Sequence, residues 1–241
     1  MRKTLSILSL AGLLAVGLHA ESSNHAAPGV APDAAWHMLA LGNDRFAAGL
    51  TVAPHRDAAL RRDLAGSQRP WAVVVSDADS RVTPEFVFDL GMGDLYVVRN
   101  AASIIKSAVE VASVEYAVEH LGTRLVVVLG HSGDGVVRDV LGGGAKNGSG
   151  IGQLAVDIAP AIDEARDKVA GLSGDTLENS AVEKNVLLQM KRLLQQSPGI
   201  SGRVESGKIK VIGGIYNLET GRVRWLGEHP SQEDILEGKK P

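Results

Sequence analysis

The chain has 241 residues, of which 44% are hydrophobic and 22% are charged, a mixture that suits one sizeable globular domain or two small ones. Its formal net charge is −3, with three each of Trp, Tyr and Phe. This balance offers neither a basic surface nor many aromatic platforms, so we expect no nucleic-acid partner. The chain has no cysteine, which excludes disulfide bonds and thiolate metal ligands.

The first residues have the pattern of an export signal. Arg2 and Lys3 precede an apolar run that ends at Leu18, and the small residue Ala20 suits a cleavage point. About fifteen apolar residues are too few for a comfortable membrane span. We therefore predict that residues 1–20 are a signal peptide, that the protein is exported to the periplasm or the extracellular space, and that no membrane contact remains after cleavage. The cleavage site is imperfect, so an uncleaved anchor is the alternative.

The rest of the chain divides into a leader, one domain and a tail. Residues 21–34 carry Pro, Ala, Ser and Gly without periodicity and are predicted to be a flexible leader. Residues 35–228 alternate short apolar runs with helical patterns, and the tail 229–241 is charged and predicted to be loose. The predicted helices are 34–46, 55–65, 104–121, 135–141, 151–170 and 177–195. The predicted strands are 71–75, 95–98, 125–129, 209–215 and 223–225.

Continuous apolar strands that alternate with helices indicate an α/β fold with a mainly parallel sheet covered on both faces. The last two strands form a predicted C-terminal hairpin, because Glu219, Thr220 and Gly221 make a turn between them. In sheets of this kind, ligands bind beyond the carboxyl ends of the strands.

Polar side chains follow two of the predicted strands. Asp77 and Asp79 come directly after the first strand, and His131 and Asp134 come after the third. Two carboxylates and an imidazole suit a divalent cation of intermediate hardness such as Zn, Mn, Fe or Co. The alternatives are that the Asp residues cap helices and that His131 is a hydrogen-bonded structural residue.

These residues resemble the β-class carbonic anhydrases. In that family Cys-x-Asp-Ser-Arg follows the first strand, and Gly-His-x-x-Cys-Gly follows a later one. The corresponding stretches here are 77–81 and 130–135, with the same spacing and with Asp at both Cys positions. Further similarities occur in order along residues 35–228: Gly42-Asn43-x-Arg45-Phe46, Gly93-Asp94-Leu95, Arg99-Asn100-Ala101 and Gly213 to Gly221.

The resemblance implies a β-carbonic-anhydrase-like fold and the reversible hydration of carbon dioxide to bicarbonate at a divalent metal. By correspondence with the family motifs, Asp77, His131 and Asp134 would hold the metal. Asp79 would orient the attacking hydroxide or take the fourth metal position, and Arg81 would hold Asp79 in place. The family also builds dimers or larger assemblies, which implies a homodimer or a higher homo-oligomer.

This sequence departs from the family pattern at the metal ligands. Carboxylate keeps the charge of thiolate but is a harder donor, so we expect zinc to be bound less tightly and Mn, Fe or Co to be better tolerated. Export gives a reason for the change, because paired thiols are oxidised outside the cytoplasm. A second departure is Ala102-Ser103, where the family has Gly-Asn, which leaves the geometry of that loop open.

Two other functions are compatible with the same residues. One is metal-dependent hydrolysis of a related heterocumulene, such as carbonyl sulfide or carbon disulfide, on the same scaffold. The other is a catalytically silent protein that binds bicarbonate or another anion through Arg81 and Arg99. Arg99 is alternatively an interface residue.

Overall fold

The computed structural model describes residues 29–144, 148–168 and 174–238. The predicted signal peptide and most of the predicted leader lie outside these residues. The helices are α1 (Pro32–Ala47), α2 (Ala58–Asp63), α3 (Pro84–Val87), α4 (Ala108–His120), α5 (Gly135–Leu141), α6 (Gly150–Lys168), α7 (Asp175–Gln196), α8 (Pro198–Glu205) and α9 (Gln232–Leu236). The strands are β1 (Ala72–Asp77), β2 (Leu95–Asn100), β3 (Leu125–His131), β4 (Lys210–Tyr216) and β5 (Val223–Gly227). Within the described ranges, none of the helices is both long and apolar enough to cross a membrane.

The strands form a single five-stranded sheet in the order β2-β1-β3-β4-β5. The first four strands are parallel, and β5 runs antiparallel to β4 as the second arm of a hairpin. The predicted α/β class, the mainly parallel sheet and the C-terminal hairpin are therefore confirmed. Each connection between parallel strands contains a helix, as parallel pairing requires.

Two hydrophobic cores cover the two faces of this sheet. Alternate residues of β1 point to opposite faces, as expected for a strand. Val73 and Val75 join the core under α4 to α8, whereas Ala72 and Val74 join the core under α1 and α3. All four are fully buried, which is why these strands read as continuous apolar runs rather than as alternating patterns.

The predicted boundaries need two corrections at the ends of the domain. The first helix begins at Pro32, inside the predicted leader, because proline suits the first turn of a helix. The tail is not loose throughout: residues 232–236 form a short helix, and Ile235 and Leu236 pack against the larger core. Two apolar side chains thus hold this short charged segment against the domain.

Gly42 brings the N-terminal helix into close contact with α3 and the residue that follows it. A Cβ atom at this position would lie 1.9 Å from the carbonyl oxygen of Phe88, far inside van der Waals contact. The neighbouring atom belongs to the main chain and cannot swing away like a flexible side chain. The position therefore requires glycine because of space.

Asn43 fastens the same helix to the hairpin. Its side-chain nitrogen donates hydrogen bonds to the carbonyls of Val87, at 3.0 Å, and Gly221, at 2.9 Å. Its oxygen accepts a hydrogen bond from the amide of Val223 at 2.8 Å. One buried side chain thus links α1, α3 and the hairpin, which explains the Gly-Asn pair that precedes the sheet in the sequence.

We predict that Gly42→Ala lowers the free energy of unfolding by about 2 kcal/mol or more, because overpacking against main-chain atoms forces the helix away. The matched control is Gly202→Ala in α8, where a new Cβ would meet nothing within 4 Å. That change should be neutral or stabilising by about 0.5–1 kcal/mol. Denaturant unfolding measures both, and equal stability of the two variants would contradict the packing argument.

Candidate metal centre

The candidate site lies between β1 and β3, from which the chain continues to strands on opposite sides of the sheet. Strands β1 and β3 are neighbours, with β2 added on one side and β4 on the other. Asp77 is the last residue of β1, His131 is the last residue of β3, and Asp134 begins the helix that follows β3. Because the carboxyl ends of adjacent parallel strands meet at one edge, the three side chains converge at the switch point of the sheet.

The three side chains form a compact and buried group. One ligand atom from each of Asp77, His131 and Asp134 lies within 4.8 Å of the other two. The three residues are 6%, 1% and 4% exposed, respectively. The predicted convergence of these residues is therefore present in the structure, and it places two carboxylates next to one imidazole away from bulk water.

Asp77 is held by main-chain amides on both of its oxygens. Oδ1 accepts a hydrogen bond from the amide of Asp79 at 2.7 Å, and Oδ2 accepts one from the amide of Ala102 at 2.6 Å. Oδ2 is also 3.7 Å from Nε2 of His131. A carboxylate oxygen can accept more than one bond, so both oxygens keep capacity for a cation.

Asp134 has a structural role as well as a place in the group. Its Oδ1 accepts hydrogen bonds from the amides of Val136, at 2.8 Å, and Val137, at 3.1 Å, and so caps α5. The helix-cap interpretation of the sequence is thus correct for this residue, but it uses only one oxygen. The other oxygen stays available to a metal, so capping and metal binding are compatible.

The orientation of His131 is fixed by its main-chain partner. Nδ1 lies 2.9 Å from the carbonyl oxygen of Ser132, which can only accept, so Nδ1 carries the proton in that bond. Nε2 then faces the two carboxylates. Histidines that bind metals are oriented in the same way, by donating from the nitrogen that does not face the metal.

The pKa values of His131 and Asp134 are shifted by burial and by the neighbouring charges. Burial would lower the pKa of His131, but the Asp77 carboxylate 3.7 Å from Nε2 and the charge of Asp134 raise that pKa above its ordinary value. Burial raises the pKa of the Asp134 carboxyl. Because both folded-state pKa values are raised, these two groups bind protons more tightly in the folded chain. Their contribution to stability therefore falls as the pH rises through those values.

Asp79 and Arg81 form an ion pair beside the buried group. Arg81 Nε and Nη2 donate to the two oxygens of Asp79 at 2.9 Å and 2.5 Å, and the Arg81 amide donates to Oδ1 at 2.8 Å. These hydrogen bonds hold the pKa of Asp79 well below its usual range, so the carboxylate stays ionised. The pairing expected from the sequence motif is present, and it engages both oxygens of Asp79.

Arg99 braces the loop between these acidic residues. Its Nε donates to the carbonyl of Asp77 at 3.0 Å, and its Nη2 donates to the carbonyl of Asp79 at 2.8 Å. Two of its donors are thus used to hold main-chain carbonyls. The remaining donors of the Arg99 guanidinium could contact an anion or a neighbouring subunit, and that role stays a prediction.

A strained turn that the sequence analysis did not assign to the site also supports it. Ala102 and Ser103 both have a left-handed backbone, with φ of 57° and 51°, which costs an L-residue roughly 1–2 kcal/mol each. The turn aims the Ala102 amide at Asp77, while Ser103 Oγ donates to the carbonyl of Leu129 at 2.9 Å. The sequence feature that could have pointed to this turn is Ala102-Ser103, at the place where the resembling family has Gly-Asn.

The donor chemistry of the site fits a divalent cation. Two carboxylates and an imidazole nitrogen are ligands that Zn, Mn, Fe and Co accept. Buried carboxylates are costly unless a cation compensates them. A divalent metal ion would supply that compensation to Asp77 and Asp134.

Comparison with known proteins gives the family. A family model described as carbonic anhydrase matches residues 72–223. Carbonic anhydrase 2 of Mycobacterium tuberculosis is 39% identical over 199 residues, which cover 81% of this chain and 93% of the relative. Carbonic anhydrase of Mycolicibacterium smegmatis is 38% identical over 200 residues, which cover 81% and 94%.

Solved structures agree with the sequence comparison. The β-carbonic anhydrase CcaA has a TM-score of 0.67 at 27% identity, over 83% of this chain and 97% of that one. A Coccomyxa β-carbonic anhydrase in complex with acetazolamide has a TM-score of 0.63 at 30% identity, over 68% and 75%. The residues matched by the family model include both strand ends of the site. On sequence and fold, this chain belongs to the β-carbonic anhydrase family.

Proposed function

We propose that this protein hydrates carbon dioxide reversibly to bicarbonate at a divalent metal held by Asp77, His131 and Asp134. The observation that supports this most directly is the buried group of two carboxylates and one imidazole within 4.8 Å at the switch point of the sheet. A divalent cation in such a place supplies hydroxide near neutral pH, because it lowers the pKa of water to about 7.

The residues around the metal position have separate roles in this proposal. Asp77 and Asp134 supply negative charge, and His131 supplies Nε2 with its tautomer set by the Ser132 carbonyl. Asp79 stays ionised because of Arg81, so it accepts hydrogen bonds and cannot donate one. It therefore orients the hydroxyl group that attacks carbon dioxide by accepting its proton in a hydrogen bond.

The metal is proposed to be zinc, with Mn, Fe or Co as harder substitutes. Zinc accepts nitrogen and oxygen ligands, but carboxylates do not favour it as strongly as thiolates do. Two oxygen donors and one nitrogen donor therefore predict a narrower gap in affinity between zinc and manganese than a two-thiolate site would show.

The contacts of Arg81 and Arg99 argue against the alternative of a catalytically silent anion-binding protein. Arg81 is engaged by both oxygens of Asp79, and Arg99 is engaged by two main-chain carbonyls. Neither guanidinium is left wholly available to an anion. A heterocumulene substrate would use the same metal position, so assays with carbon dioxide and carbonyl sulfide on one preparation distinguish these two reactions.

We predict that Asp134→Asn weakens binding of Zn²⁺ and Mn²⁺ by about 100-fold or more while the protein stays folded. The amide oxygen can still accept the hydrogen bonds that cap α5, but it carries no negative charge toward the metal. Isothermal titration calorimetry of metal-free protein gives both affinities, and thermal unfolding reports the fold.

The matched control is Asp57→Asn. Asp57 caps α2 in the same way, by accepting from the amides of Ala59 and Leu60, but it takes no part in the buried group. Its variant should bind both metals as the wild type does. Unchanged metal affinity in Asp134→Asn would remove Asp134 from the ligand set.

Asp79→Asn is expected to leave metal affinity within about threefold of wild type. It should lower kcat for carbon dioxide hydration by about 10²-fold or more, the size of effect that follows the loss of a group that accepts or positions a proton. An amide can present its NH₂ group to the attacking oxygen and cannot pair with Arg81 through two oxygens. Stopped-flow hydration assays beside metal titration separate the two effects. Full turnover in this variant would exclude Asp79 from the mechanism.

We further propose export and assembly as a homodimer or a higher homo-oligomer. Export is supported by Arg2, Lys3 and the apolar run that follows them. Assembly is supported by the family resemblance, and exposed apolar side chains such as Val109, 72% exposed, and Leu50, 71% exposed, are surfaces that a partner subunit would cover. Native mass spectrometry of protein purified from the exported fraction measures both. A mass of two or more chains starting after Ala20 is expected, and a monomer that retains residues 1–20 would contradict both proposals.

A further inference from the structure

Two buried amide side chains on α7 point toward the strained turn beside the site. Asn185 Nδ2 donates to the carbonyl of Ala102 at 2.8 Å, and Gln189 Nε2 donates to Asn185 Oδ1 at 2.7 Å. The two residues are 4% and 0% exposed. They lie one helical turn apart on the buried side of α7, where amides are costly unless they are paired.

This pair of amides is itself fixed from both ends. Gln189 Oε1 accepts a hydrogen bond from the amide of Ile105 at 2.8 Å and a second from Arg192 at 3.2 Å. Every polar atom of the two side chains that faces the turn is therefore used. A network satisfied in this way holds its members in a single arrangement.

The helix that carries the amides is pressed closely onto the sheet. A Cβ atom at Gly130 would lie 2.7 Å from Val186, and one at Gly213 would lie 2.9 Å from the same side chain. The two glycines let α7 approach β3 and β4 next to the position of Asn185. The distance from α7 to these strands is therefore set by the Val186 side chain, which packs on the main chain of the two glycines.

The turn needs support of this kind. Ala102 has a left-handed backbone that glycine adopts freely and alanine does not. Its carbonyl is held by Asn185, and its amide points at Oδ2 of Asp77 at 2.6 Å. The peptide units on either side of one strained residue thus connect α7 to the candidate metal ligand.

We propose that Asn185 is a positioning residue for metal binding: it holds Ala102 in its left-handed conformation, and the Ala102 amide in turn sets the position of the Asp77 carboxylate. Asn185 does not touch the metal position itself. The inference rests on the proposed metal site and adds a distant residue that sets its affinity.

The test is the affinity of the metal-free protein for Co²⁺, followed by its visible absorption, in the wild type and in Asn185→Leu. Asn185→Leu removes a hydrogen bond that indirectly positions the Asp77 ligand, so the Kd for Co²⁺ is expected to rise about tenfold. The control is Thr123→Val, which removes another buried side-chain donor to a carbonyl, that of Pro70 at 2.9 Å, at the start of β3. It should lower the melting temperature but change the Kd by less than about twofold.

A rescue experiment separates positioning from a general loss of packing. Adding Ala102→Gly to Asn185→Leu removes the strain that Asn185 offsets, so the Kd should return to within about threefold of wild type. Should Asn185→Leu fail to fold, Asn185→Ala, which leaves space instead of bulk, takes its place with the same rescue.

Each result has one meaning. A Kd in the Asn185 variant equal to that of the wild type would overturn the inference and leave the metal site standing. A raised Kd that Ala102→Gly does not restore would assign Asn185 to packing alone and also overturn it. A wild type that binds no Co²⁺ would overturn the proposed metal site, and this inference with it.

Discussion

The arrangement of this molecule depends on keeping two carboxylates close together away from water. Asp77 and Asp134 are 6% and 4% exposed, and their ligand atoms lie within 4.8 Å of each other. At that distance like charges repel by about 3.5 kcal/mol at an effective dielectric constant of 20. Among the described residues, neither acid is paired with a lysine or arginine side chain. Main-chain amides donate hydrogen bonds to both acids, and a divalent cation would complete the compensation.

The supports of the two acids come from different parts of the fold. Asp77 depends on the turn after β2, which in turn depends on α7, whereas Asp134 depends on the first turn of α5. The site therefore requires that α5 and α7 be packed correctly against β1 and β3 at once. Glycines within β3 and β4 permit this, because they admit α7 to a distance that a side chain would prevent.

Local patterns in the sequence were sufficient to predict the sheet and the hairpin, because both depend on periodicity and on turn residues. The grouping of Asp77, His131 and Asp134 was expected from their positions after strand ends and from the resemblance to the family motifs, since the sequence does not show that β1 and β3 are neighbours. The contact of Asn185 with Ala102 joins residues 83 positions apart, and nothing in the periodicity of α7 indicates which residue an amide on its buried face will meet. The same holds for Asn43, which bonds to Val223 across 180 positions.

The two departures from the family pattern are in contact with each other. By the motif correspondence, Asp77 would stand at a Cys position and Ala102 at a Gly position, and the amide of Ala102 donates to Oδ2 of Asp77 at 2.6 Å. A sulfur is a weak acceptor with a single atom to offer, whereas a carboxylate has two strong acceptor oxygens that must both be oriented. A carboxylate ligand therefore gains more from a rigid donor than a thiolate does. The Ala102 amide, which Asn185 holds in place through the Ala102 carbonyl, supplies such a donor, so the carboxylate ligand and the turn make one local unit.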